Sequence, residues 1–129
     1  MRYFLIVVML MFSTAMAEKQ VEDQDRNVLI QQKSMQNLKQ LATGIMLYAD
    51  ENNGKLPDKM SDIAKYIGGE KVLKSILICP VTKQAYTYNK PVENVNDSNK
   101  PSKMEMLYSE TKDGVISAYL DGHVEIKKK

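Results

Sequence analysis

Few residues in this 129-residue chain could do chemistry: there is one cysteine, Cys79, and one histidine, His123. With Asp121 they are the parts of a thiol triad, which is defined by geometry and not by order along the chain. Nothing near Cys79 in the sequence supplies the cation or helix N-terminus that lowers a thiol pKa, and Pro80 after it reads as a structural bend. Cys79 is therefore either a buried, inert thiol or the donor of an intermolecular bridge. Burial is the default, because free Cys is among the most buried residue types. His123 follows Asp121-Gly122 and reads as a solvated hairpin histidine near Glu125. One Cys and one His exclude an internal disulfide framework and a four-ligand Cys/His zinc site. The residues point to no enzyme and call for no cofactor.

Two oxygen-rich stretches invite a cation. Asp50-Glu51-Asn52-Asn53-Gly54 fails the calcium-loop pattern, because the Gly needed at its sixth position is Lys55 and the Glu needed at its twelfth is Ser61. A turn that ends a helix explains it better. Asn94 to Asn99 could hold a cation weakly, which keeps a small ligand- or cation-binding module as the alternative function. Its simpler reading is a solvated loop. No phosphate loop, nucleophile elbow or His-Glu-x-x-His occurs. With 18 basic against 16 acidic residues, no cationic excess awaits a nucleic acid.

The elements that must position these residues begin with an export signal. Arg2 precedes an apolar run, and Ala15 and Ala17 form a small-x-small cleavage pattern, so residues 1–17 read as a signal peptide cut after Ala17. The alternative is an anchor in the inner membrane through residues 3–17, but that stretch is shorter than the ~20 residues a spanning helix needs. Cleavage would leave no stable membrane span, and the product would be periplasmic or extracellular. Residues 18–33 are polar and helix-permissive. From Met35, the recurrence of Leu38, Leu41, Ala42, Ile45, Met46 and Ala49 predicts an amphipathic helix that ends at Asn52-Asn53-Gly54. Gly44 within the stripe implies a close neighbour, expected to be a strand backbone. Ser61 is placed to cap a short helix over 62–67. Tyr86-Thr87-Tyr88 reads as a strand, and 90–103 as a mobile loop.

Asp113-Gly114 and Asp121-Gly122 each separate strand-like runs, the signature of type I′ hairpins. Two-residue turns at both places pair Leu120 with His123, Tyr119 with Val124, Tyr108 with Tyr119, and Leu107 with Leu120. Met104, Met106, Tyr108, Tyr119, Val124 and Ile126 then face the helix. Leu107, Ile116, Leu120 and His123 fall on the outer face, where the three aliphatic side chains form a contact surface unless the 90–103 loop covers them. The predicted fold is α+β over residues 34–129: a long N-terminal amphipathic helix on a small antiparallel sheet of three to four strands. Lys127-Lys128-Lys129 reads as a charged end that discourages edge pairing.

Asn37-Leu38-Lys39-Gln40-Leu41, followed by Tyr48-Ala49-Asp50-Glu51-Asn52-Asn53-Gly54-Lys55-Leu56-Pro57, resembles type IV pilin-like proteins. The nearest likeness is to the prepilin-type His-x9-Asp-Gly family, and a more distant one is to the major pseudopilin of type II secretion. Cys79-Pro80 and Leu120-Asp121-Gly122-His123-Val124-Glu125 follow in the family's order. The resemblance covers roughly Ser34 to Ile126 and implies a helix laid on an antiparallel sheet. It also implies a pilin-like head that acts through protein partners of the envelope or secretion apparatus. The chain departs from the family in several places. Arg2-Tyr3-Phe4-Leu5-Ile6 lacks the Gly and Glu of the prepilin-peptidase motif, Thr111 stands where the family has His, and Ser34 stands where it often has Cys. The last departure agrees with an unpaired Cys79.

Overall fold

The computed structural model describes residues 23–129 in full; the expected signal peptide over 1–17 and its cleavage after Ala17 lie outside the described residues. Helix α1 (Arg2–Glu51) leads into a 3-10 helix (Met60–Tyr66) and α2 (Glu70–Ile76). A four-stranded antiparallel sheet follows, with β1 (Thr87–Tyr88), β2 (Glu105–Thr111), β3 (Gly114–Tyr119) and β4 (Val124–Lys128) in spatial order β1-β2-β3-β4. The fold class is thus α+β, one long helix beside a four-stranded sheet. No helix is long and apolar enough to cross a membrane among the described residues.

The stripe on α1 becomes the core. Leu38, Leu41 and Ile45 are fully buried, with Ala42 and Ala49 beside them, and Ile63 joins them from the 3-10 helix. Burying each of the larger side chains is worth about 1.5–3 kcal/mol against leaving it in water. Gly44 is crowded by side chains and not by a strand: a Cβ there would meet Ile67 Cγ2 at 2.8 Å and Ile63 Cδ1 at 3.1 Å. The helix ends where expected, with Asn53 at φ 57° and Gly54 at φ 86°. Ser61 caps nothing. The short helix after it is 3-10, starts at Met60, and has Lys59 at its N-cap without a side-chain bond.

The expected register of the sheet is overturned at both hairpins. In the β2–β3 turn the loop residues are Lys112 and Asp113, and Gly114 already belongs to β3, opposite Thr111. The Thr111 hydroxyl accepts the Gly114 N–H at 3.1 Å and donates to its carbonyl at 3.0 Å. Neither loop residue has positive φ, so the turn has type I character with Gly in its last position. Gly114 is needed for its lack of a side chain, because a Cβ would collide with the Lys127 carbonyl oxygen. In the β3–β4 turn the loop has three residues. The Gly122 N–H bonds the Tyr119 carbonyl at 2.8 Å, Gly122 takes φ 91°, and the Tyr119 N–H bonds the His123 carbonyl at 3.0 Å. This three-residue loop shifts β4 by one position relative to the expectation, so Ser117 pairs with Glu125 and Ile116 with Ile126. A bulge at Met106 corrects the phase again near the start of β2.

The loop over 90–103, read as mobile, is instead tied down. Leu56 N–H bonds the Glu93 carbonyl at 3.1 Å, Val95 N–H the Gly54 carbonyl at 2.8 Å, and the Asn94 amide the Asn53 carbonyl at 2.9 Å. Gly54 has no room for a Cβ beside the Asn94 side chain, so the turn ending α1 and this loop are fitted to each other.

Candidate functional site

Leu107, Ile116 and Leu120 do not form an outer contact surface. They are 0%, 1% and 1% exposed and belong to the core. The three still share one face, as expected, but α1 covers that face and not the opposite one; only β4 changes sides, which brings Ile126 beside Ile116 in the core. His123 does face outward, where its ring stacks on Tyr119 with centroids 4.4 Å apart and planes 2° from parallel. The Asp121 carboxylate accepts the His123 backbone N–H at 3.1 Å and also pairs with its Nδ1. The Lys127 ammonium lies over the Tyr119 ring, 5.6 Å from its centroid, and the Ser117 hydroxyl donates to Glu105 at 2.6 Å.

Cys79 lies on the opposite side of the sheet, so the imagined triad with His123 and Asp121 is not assembled. A hairpin closed by Cys79 N–H to the Gln84 carbonyl and Lys83 N–H to the Cys79 carbonyl, both 2.8 Å, inserts the thiol against α1. There the Ser34 hydroxyl stands 3.5 Å from Sγ and 2.5 Å from the Tyr86 hydroxyl, which also donates to the Ser34 carbonyl at 3.2 Å. Thr82 and Ser109 complete the surround, their hydroxyls 3.2 Å apart. Burial pushes this thiol up, but hydrogen bonds from Ser34, the Thr82 backbone and side chain, and Ser109 outweigh it and bring the thiol to about 7. Burial likewise drives the neighbouring Tyr86 phenol well above its ordinary value. Sequence reasoning missed this surround because it looked for a cation near Cys79, whereas hydroxyls from α1, the hairpin and β2 lower the thiol. With no exposure and no base beside it, the thiol is placed for packing and not for attack.

The Asn94–Asn99 stretch uses its first side chain on its own backbone, Asn94 Oδ1 accepting the Asn96 N–H at 2.9 Å, and an ion-paired lysine lies just before it. The Lys90 ammonium bonds Asp58 and, at 3.0 Å, Glu93, while Asn94 caps the short turn that follows it. This lysine beside Asp58 holds its carboxyl below the usual range. Among the described residues no group of three or more His, Cys, Asp or Glu is arranged to take a metal ion.

What remains unpartnered is the described N-terminal part of α1. Val28, Leu29 and Ile30 are 52%, 63% and 37% exposed, although they follow one another on a helix whose next turns are core. A groove of about 890 Å³ separates this segment from the sheet, with Val28, Val81, Ile116 and Ile126 among its apolar lining. Among the described residues of α1, the first buried side chain is Ser34. Comparison of the chain with protein-family models, curated proteins and solved structures gives no match.

Proposed function

We propose that this protein is an exported, non-enzymatic, pseudopilin-like domain that works by protein contact, in association with secretion or pilus-like machinery. The observation that carries the reading is the division of α1. Its C-terminal turns bury a stripe against the sheet, while Val28, Leu29 and Ile30 stand exposed before them. The exposed aliphatic side chains of Val28, Leu29 and Ile30 offer a partner apolar surface to cover. The contact surface is thereby assigned to α1, and not to Leu107, Ile116 and Leu120. The sequence resemblance to pilin-like proteins supports the same conclusion.

The test is photo-crosslinking in cells from a probe placed at Leu29. Adducts with envelope secretion or pilus-like components, lost when Val28 and Ile30 beside the probe are both changed to Glu, support the reading. A probe that reacts only with solvent, while the protein is folded and exported, removes it.

A further inference from the structure

β4 is the last strand of the sheet, and its second edge has no partner among the described residues. The phase of its ladder fixes which groups face that edge. Tyr119 N–H bonds the His123 carbonyl and Lys129 N–H the Asp113 carbonyl, so His123, Glu125, Lys127 and Lys129 turn their backbone groups toward β3. Antiparallel alternation then turns the N–H and C=O of Val124, Ile126 and Lys128 to the open side. We propose that this edge pairs with the β4 edge of a second copy of the chain, antiparallel about a two-fold axis at Ile126.

The charges select both the occupant and the register. With Ile126 opposite Ile126 of the second copy, the outward-facing backbone groups of Val124, Ile126 and Lys128 meet one another and bond. In the same register Glu125 lies opposite Lys127 of the second copy, and Lys127 opposite its Glu125. These are non-hydrogen-bonded positions, where cross-strand side chains come closest. Glu125 and Lys127 are both exposed, with only loose contacts on their own chain: Glu125 is 3.9 Å from His123 Nε2, and Lys127 is 5.6 Å from the Tyr119 ring centroid. Sliding by two residues one way sets Glu125 against Glu125, and the other way Lys127 against Lys127. A slide by one residue turns the free backbone groups away from each other and reverses the faces. Only the register centred on Ile126 satisfies backbone and charge together. Like charges at Glu125 in one slip and at Lys127 in the other thus exclude the slipped alternatives; the charged strand does not discourage edge pairing outright but leaves a single self-complementary pairing, of the isologous kind that closes as a dimer.

This inference stands on the edge geometry and does not depend on the secretion-linked reading; a monomer could still contact a partner through Leu29. The experiment is sedimentation of the purified full chain and three variants, each checked for folding by circular dichroism and melting. The wild type is expected to dimerise. Lys127→Glu and Glu125→Lys, which each place like charges opposite one another, should weaken association by at least about tenfold. The double variant Glu125→Lys/Lys127→Glu restores opposite charges and should regain wild-type association. Self-association through the N-terminal apolar residues would ignore all three changes. A wild type that stays monomeric at about 100 μM, within the range of weak specific association, overturns the proposal. So do single variants that dimerise like the wild type, or a folded double variant that does not recover.

Discussion

The Ser34 hydroxyl lies 3.5 Å from the Cys79 sulfur, joining α1 to a hairpin 45 residues further along the chain. The approach is close enough that one atom decides whether the two elements are bonded or merely packed. Ser34→Cys is expected to form a disulfide with Cys79 under oxidising conditions, closing a long loop. Cross-links of this length commonly add about 2–4 kcal/mol. Melting with and without reductant checks it, together with a count of free thiols. A rise in melting temperature that reductant abolishes is the expected result.

The hydroxyl surround of Cys79 predicts a pH dependence. The folded thiol lies at about 7, below its ordinary value, so the folded state releases the proton before the unfolded chain does. For an acid lowered in this way, the added stability is complete above the unfolded pKa and disappears as pH falls through about 7. Stability should therefore rise between about pH 7 and pH 9. In Cys79→Ser that rise should vanish. Ser109→Ala, which removes one donor, should move the thiolate absorbance titration upward. Alkylation should remain slow throughout, since the sulfur is buried.

Gly114 meets the Lys127 carbonyl so closely that any side chain forces β3 and β4 apart. Gly114→Ala is expected to destabilise the domain by about 1–3 kcal/mol, as overpacking does elsewhere. Denaturant unfolding measures the loss. The same substitution at Gly122, which has open space around it but φ 91°, should cost less through contact and more through backbone conformation.

Two leucines separate the core from the contact surface. Leu107→Ala should cost about 2–5 kcal/mol, the range for emptying a fully buried site. Leu29→Ala should change stability by less than about 0.5 kcal/mol, because that side chain is mostly in water. Equal effects at the two positions would mean that Leu29 is packed.

Local pattern was enough wherever a single element settled the outcome. The stripe from Leu38 to Ala49 announced the buried face of α1, and Asn53-Gly54 announced its end, because helical period and left-handed backbone are properties of neighbouring residues. The two Asp-Gly pairs likewise located both hairpins. They could not place the turns to the residue. The two-residue β2–β3 loop sits one position earlier, where the Thr111 hydroxyl holds Gly114, and Gly122 closes a β3–β4 loop of three residues.

Composition and short-range spacing by themselves determined an α+β domain with one thiol, one imidazole and no room for a four-ligand Cys/His metal centre. They determined the helix stripe and the presence of the hairpins. Tertiary structure alone decided which sheet face is core. Side chains alternate with period two, so α1 had two faces to choose from and covers the one carrying Leu107 and Ile116, while the one-residue shift of β4 brings Ile126 to that face and His123 over Tyr119. It alone gathered Ser34, Thr82, Tyr86 and Ser109 around Cys79, since those residues meet only after α1, the hairpin and the sheet have packed. And it alone left Val28 to Ile30 exposed, because whether an aliphatic residue is buried depends on what lies opposite it and not on its own identity.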